Sequence, residues 1–215
     1  GNVWQFEGVK VETGQQASSF RNSVRVTGTK TLGALTAKVV AETNPDGLQQ
    51  AVQEYLVQDS RGVSNHGNDD VSDVLTPQLL EYRMLRFPLQ TGTLFEAVNK
   101  TGLNFGDLDG DGRNETGSVL VQVSVAAFEA ITVPVGAFVN TAKIETRIIT
   151  TVTASSNGVK VTLTATQTDW LAPGIGPVKR QTQTSGEAFS ETITEELSGY
   201  FVDGQGKGAV SLTIA

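Results

Sequence analysis

Between Phe105 and Gly117 the chain reads FGDLDGDGRNETG, and its chemistry is concentrated there. Asp107, Asp109 and Asp111 are spaced two apart, Gly112 follows, and Glu115 comes four residues after the last Asp. Ca²⁺ takes about six to eight hard oxygen ligands in a flexible shell. Carboxylates at positions 1, 3 and 5 of a tight loop can curl around one such ion. The carbonyl of Arg113, at position 7, can join them, and Glu115 at position 9 can bind directly or through water. Gly112 at position 6 permits the sharp turn that a side chain resists. In a helix–loop–helix calcium site, position 12 carries a bidentate Glu; here it is Ser118, which predicts modest affinity. The expected cofactor is one Ca²⁺, held by Asp107, Asp109, Asp111, Arg113 and Glu115. Without an ion the same residues form a solvated acidic turn, offset locally by Arg113 alone.

Other candidate groups are weaker. His66 is the only histidine and cysteine is absent, so no zinc set exists; a surface role is expected for it. Asp69, Asp70 and Asp73 lack a glycine-centred loop and read as a solvated turn. No Gly-x-Ser-x-Gly elbow is present. A glycosidase needs only two carboxylates, but the acidic residues cluster in the metal loop rather than on facing strands. No catalytic residue and no enzymatic activity are expected.

The 215 residues carry a formal net charge of -7 with no basic cluster, which disfavours nucleic acid and anionic membranes. No apolar run approaches the length of a transmembrane helix. The chain opens on Gly1 rather than Met, as a processed product does. Hydrophobic residues make up 38%, enough for one β-rich domain over 1–215, with 105–117 as an inserted calcium loop.

The elements that must position the loop read as strands. Thr, Val, Ser and Gly are abundant, and period-2 alternation recurs. Strands are expected at 2–8, 20–27, 35–43, 50–58, 93–98, 118–131 and 178–184, with a last one ending near Tyr200. Val119, Val121, Val123 and Val125 form one face of the strand after the loop. Pro77 to Leu85 has the clearest helical composition, with a strand into Arg86 as the alternative. Asn157-Gly158 predicts a two-residue type I′ hairpin, which places Val152 opposite Leu163 and Glu145 opposite Trp170. One hairpin face carries Ile144, Ile148, Val152, Val161, Leu163 and Ala165; the other is Thr-rich, with Trp170 an exception. Pro173, Gly174, Gly176 and Pro177 make a rigid corner with Ile175 packed. Asp203 to Gly208 reads as a flexible turn, and Val210 to Ile214 as a short tail strand. The fold class is mainly β: a strongly curved antiparallel sheet or open half-barrel with at most one or two short helices.

Three segments occur in order: Phe87-Pro88-Leu89-x-x-Gly92, then Val133-Pro134-Val135-Gly136-Ala137-Phe138 with Lys143-Ile144, then Trp170-x-Ala172-Pro173-Gly174-Ile175-Gly176-x-Val178-Lys179. This order resembles a group of exported, often lipid-anchored bacterial β-proteins without assigned activity, whose C-terminal motif is APG[IV]GxVK. The resemblance runs over about Leu85 to Tyr200. It implies a curved antiparallel sheet and a periplasmic, outer-envelope or extracellular location, and supplies no catalytic residues. The acidic loop is no part of the shared pattern, and Pro177 departs from the apolar residue usual there. The expected function is a structural or ligand-binding envelope protein stabilised by Ca²⁺, its partner an apolar molecule, a glycan or a protein. A calcium-dependent carbohydrate-binding or adhesion module using Trp4 or Trp170 is one alternative, and a glycoside hydrolase-like carboxylate pair another.

Overall fold

The computed structural model describes residues 1–186 and 189–210. Two meanders fill it. The first runs β1 (Val3–Glu12), β2 (Ser18–Leu32), β3 (Leu35–Glu42), β4 (Val52–Asp59), β5 (Gly62–Asn68) and β6 (Tyr82–Arg86). The second runs β7 (Leu94–Asn104), β8 (Thr116–Val133), β9 (Gly136–Thr153), β10 (Lys160–Ala172), β11 (Gly176–Ser185) and β12 (Ser190–Val202). They join through an antiparallel β1–β12 ladder, so the sheet order is β6-β5-β4-β3-β2-β1-β12-β11-β10-β9-β8-β7. The sheet curls until β6 and β7 face one another without a hydrogen-bonded ladder. This is the expected strongly curved antiparallel sheet, here nearly closed.

A single α-helical turn, α1 (Thr76–Leu79), and a 3₁₀ turn at Pro45–Gly47 are the helical elements among the described residues. The helical composition at 77–85 thus yields one turn. The chain then extends into β6, because Tyr82 and Leu85 are needed against the facing apolar side chains. Alpha1 closes the unpaired seam. The Lys100 Nζ donates to the carbonyls of Gln78 (2.7 Å) and Leu80 (3.4 Å). The Gln78 amide donates to the Asn104 carbonyl (2.7 Å) and accepts from the Asn104 N–H (2.9 Å). Leu75, Leu79 and Tyr82 pack on Val98, Leu103 and Val119.

Alternation fixes the faces. Val119, Val121 and Val123 of β8 and Ile144, Thr146, Ile148 and Thr150 of β9 line the interior. The far end is filled by Phe6, Val24, Val178 and Leu197, with Val133 and Val135 of the β8–β9 tip packed in the same cluster. The Val135 N–H reaches the Leu197 carbonyl at 3.0 Å. Trp170 belongs to this cluster, 9% exposed, and its Nε1 donates to Glu129 at 2.6 Å.

The β9–β10 hairpin departs from the expected register. Val152 pairs with Val161, and Lys143 with Trp170. Ala154 N–H meets the Val159 carbonyl, leaving a four-residue loop, 155–158, in which Gly158 alone has positive φ, at 71°. The ladder is offset by two residues, so every side chain keeps its face. The wider loop frees Ser155 and Ser156 for contacts outside the hairpin. The Pro/Gly corner reverses the chain between β10 and β11. Ile175 is half-buried there, and its carbonyl accepts the Trp4 Nε1 at 2.7 Å. Asp203 to Gly208 is not merely a turn: β13 (Gln205–Gly208) pairs with β12. Of the expected tail strand, residues 211–215 lie outside the described residues.

Candidate functional site

Phe105 N–H donates to the Glu115 carbonyl (3.0 Å), and Glu115 N–H to the Gly106 carbonyl (2.8 Å). These two bonds pinch a neck from which the acidic loop projects between β7 and β8. Gly106, Gly110 and Gly112 all have positive φ, as a loop this tight requires. Asp107 organises the turn: its Oδ1 accepts the N–H groups of Gly110 and Asp111 (2.8 and 3.1 Å), and its Oδ2 that of Gly112 (3.0 Å). Asp111 Oδ1 accepts Arg113 N–H at 2.8 Å.

Four carboxylates converge. Asp107, Asp109, Asp111 and Glu115 each place an oxygen within 4.8 Å of the others. The three Asp residues are exposed, and Glu115 is buried at 2%. Glu115 accepts the Leu108 N–H on Oε2 and the Ser155 N–H on Oε1 (3.3 Å). The Leu108 bond, followed by those from Ser155, holds its carboxyl below the ordinary value. The β9–β10 tip completes the arrangement: Ser155 Oγ donates to Asp111 (2.8 Å) and Ser156 Oγ to Asp109 (2.7 Å). An all-oxygen, mostly carboxylate donor set on a flexible loop fits a hard divalent cation. The two serines were not legible as partners, because nothing local in Ser155-Ser156-Asn157-Gly158 refers to a loop some forty residues earlier.

The other acidic turn serves itself. Asp70 accepts from Ser72, and Asp73 caps the N–H groups of Leu75 and Thr76 (both 2.9 Å) while accepting from Asn68 (2.7 Å). The His66 side chain is only 7% exposed, not the surface group its polar neighbours suggested; its Nδ1 lies 3.1 Å from Glu81.

A second constellation lies inside the barrel. The interior encloses a cavity of about 540 Å³. Aliphatic side chains from β4 to β9 form most of its wall, and Glu42, Glu54, Asp169 and Arg180 also line it. Arg180 contacts three carboxylates: Asp169 through Nε (3.2 Å), and Glu42 and Glu195 through Nη1 (3.5 Å each). The Asn22 amide donates to both Glu42 (3.0 Å) and Glu195 (2.9 Å). Glu54 accepts from Asn65 at 2.9 Å. Burial pushes the Glu195 carboxyl up to about 7, against the pull of Arg180 and Asn22. Burial also raises Glu54 and Asp46. A sequence signal for this group existed: Glu195 shares phase with Ile193 and Leu197, so a carboxylate stands in a core-facing row.

No family model matches the chain, and no curated protein matches it. Among solved structures, a candidate lipoprotein of Parabacteroides distasonis is similar at 16% identity and a TM-score of 0.41, over 92% of this chain and 94% of that one.

Proposed function

We propose that this chain is a non-enzymatic, exported or envelope-associated binding protein, whose barrel holds a small apolar-bodied molecule and whose acidic loop is stiffened by one Ca²⁺. The observation that carries the reading is the interior cavity. Its volume of about 540 Å³ falls within the range of roughly 300–1,000 Å³ typical of small-molecule sites, and its wall is mainly aliphatic with a few polar groups. The metal would sit among Asp107, Asp109, Asp111 and Glu115, with the Arg113 carbonyl as a further ligand. It would clamp the β7–β8 loop onto the β9–β10 tip through the same carboxylates that Ser155 and Ser156 approach. Its work there is structural.

The carbohydrate-module reading lacks a platform. Trp4 and Trp170 both join the cluster at the far end, and their Nε1 groups are engaged. From Lys143, opposite Trp170, to Thr153 beside the acidic loop, β9 runs ten residues, or roughly 30 Å. The hydrolase reading finds carboxylates in a cleft, but Glu42 and Asp169 share one guanidinium, and Glu195 does not line the cavity.

Two titrations test the reading. Chelator-stripped protein, titrated calorimetrically, should bind one Ca²⁺ and respond poorly to Mg²⁺, which demands a tighter shell; Asp109→Ala should abolish the heat. A neutral polarity-sensitive fluorophore should bind in the interior, and Thr146→Trp, which fills the cavity, should expel it. Absence of Ca²⁺ heat at millimolar concentration removes the metal. Failure of the fluorophore to bind, or equal binding by the filled variant, removes the interior site.

A further inference from the structure

The cavity wall is not uniformly apolar, and its polar part is electrically lopsided. Among the described residues Arg180 is the one cation touching Glu42, Asp169 and Glu195, and Glu54 and Asp46 lie close enough to feel the same field. Arg83, the other cation lining the cavity, is engaged by Asp59 at 3.1 Å. Lys10 is paired with Glu191. Thus one guanidinium faces five carboxyl groups contributed by β3, β4, β10, β12 and the turn at Pro45–Gly47. Buried carboxylates ordinarily occur with a matching charge or a full set of donors. This set lacks the matching charge: Asn22, Asn65 and Gln167 donate to Glu42, Glu195, Glu54 and Asp169, but one guanidinium serves all five groups, and the Oδ1 of Asp46 is buried with no hydrogen-bond partner. Arg180 keeps 25% of its side chain exposed and Asp169 keeps 17%, and both line the cavity. Glu42, Glu54 and Asp169 line the cavity, so their share of the negative surplus faces the space that an occupant would fill.

Resting on the interior binding site proposed above, we infer that its occupant is a cationic amphiphile: an aliphatic body against the Val and Ile side chains of β7, β8 and β9, and a protonated amine beside Glu42 and Asp169. A fatty acid or phosphate-bearing lipid would bring a second negative charge to a site already short of cations, and a neutral alcohol would leave the surplus unmatched. The amine head donates up to three hydrogen bonds and supplies the missing charge. Binding is coupled to protons. Facing Glu195 are Arg180 of β11, Asn22 of β2, Glu42 of β3 and Asp46 of the 3₁₀ turn; burial raises its carboxyl to about 7, with Arg180 and Asn22 pulling the other way. An arriving ammonium favours the ionised form, so Glu195 releases its proton as the ligand enters.

Three ligands of equal chain length separate the outcomes: dodecylamine, dodecanol and dodecanoate, each measured by displacement of the neutral fluorophore. Dodecylamine should bind roughly tenfold or more tightly than dodecanol, and dodecanoate more weakly than either. Affinity for the amine, but not for the alcohol, should rise between pH 5.5 and pH 8. Glu42→Gln and Asp169→Asn should each weaken amine binding by roughly tenfold while leaving dodecanol unchanged, which also shows that the variants are folded. Equal or tighter binding of dodecanol or dodecanoate, or a pH-independent amine affinity, overturns the inference while leaving the interior site standing. If none of the three displaces the fluorophore, the inference falls, while the interior site stands or falls with the Thr146→Trp control.

Discussion

Replacing Arg180 with methionine keeps the aliphatic stem and removes the guanidinium. The variant leaves Asp169, Glu42 and Glu195 without the cation now 3.2 to 3.5 Å away. Breaking a buried ion pair by deleting one partner costs about 3–5 kcal/mol. Because Arg180 is 25% exposed, the lower end applies, about 3 kcal/mol at pH 8. For a chain of this size each kcal/mol moves the midpoint by about 2–4 °C, so Tm should fall by about 6–12 °C. The pH dependence identifies the cause. The Glu195 carboxyl is raised from 4.5 to about 7 in the folded state. Between those values the native state binds more protons than the unfolded chain, so stability falls as pH rises through the window. Arg180 holds that rise down, so its loss extends the fall to higher pH. At pH 5 Glu195 is largely protonated with or without Arg180, and the variant should lose less than half of what it loses at pH 8. Urea unfolding at the two pH values measures this. An equal loss at both would mean that Arg180 contributes by packing alone, and the charge argument would fail.

Gly158→Ala should lower stability by about 1–2 kcal/mol, since φ is 71° and no neighbour lies within 4 Å, leaving backbone strain as the sole cost; an unchanged urea midpoint would contradict the loop geometry. Lys100→Met removes the donor to the Gln78 and Leu80 carbonyls. Amide exchange should then accelerate over residues 76–86 while the β8–β9 ladder stays protected; uniform acceleration would show that the seam does not open on its own. The Glu115 carboxyl is held down by the Leu108 N–H first, then by Ser155. Its stabilising contribution is present above the ordinary carboxylate value and lost as pH falls through the depressed one. A carbon-detected NMR titration should place its midpoint below 4.5, the ordinary value, and Ser155→Ala should move the midpoint upward.

The strand content was legible because period-2 alternation is local: the Val119–Val125 row and the Ile144/Ile148 face need no tertiary information. The carboxylate spacing of the acidic loop was equally legible, since four carboxylates within nine consecutive residues are a short-range feature. What alternation could not reveal was which face would be enclosed. An apolar face reads the same on an open sheet and on a barrel, so the interior stayed hidden until β1 and β12 joined. Nothing local in the sequence refers Arg180 to Glu42; closure alone brings them together. The Asn157-Gly158 signal placed the reversal within two residues, but the register followed from Ser155 and Ser156 reaching Asp111 and Asp109. A tertiary contact of that kind overrides a turn preference worth little by itself.

The unsealed seam changes how the barrel can deform. In the spatial order every ladder but one joins strands adjacent in sequence, and the exception, β1 with β12, is held by ten paired positions. The seam lies between β6 and β7, which the chain already tethers through residues 87–93. Spreading β6 from β7 therefore breaks no inter-strand backbone bond; it costs the α1 strap, the apolar contacts of Leu75, Leu79, Tyr82 and Leu85, and the stacking of Arg86 on the Phe95 ring. The molecule works as a clasp, with a rigid spine at β1–β12 and a mouth opposite it, and the short tether limits how far the jaws part.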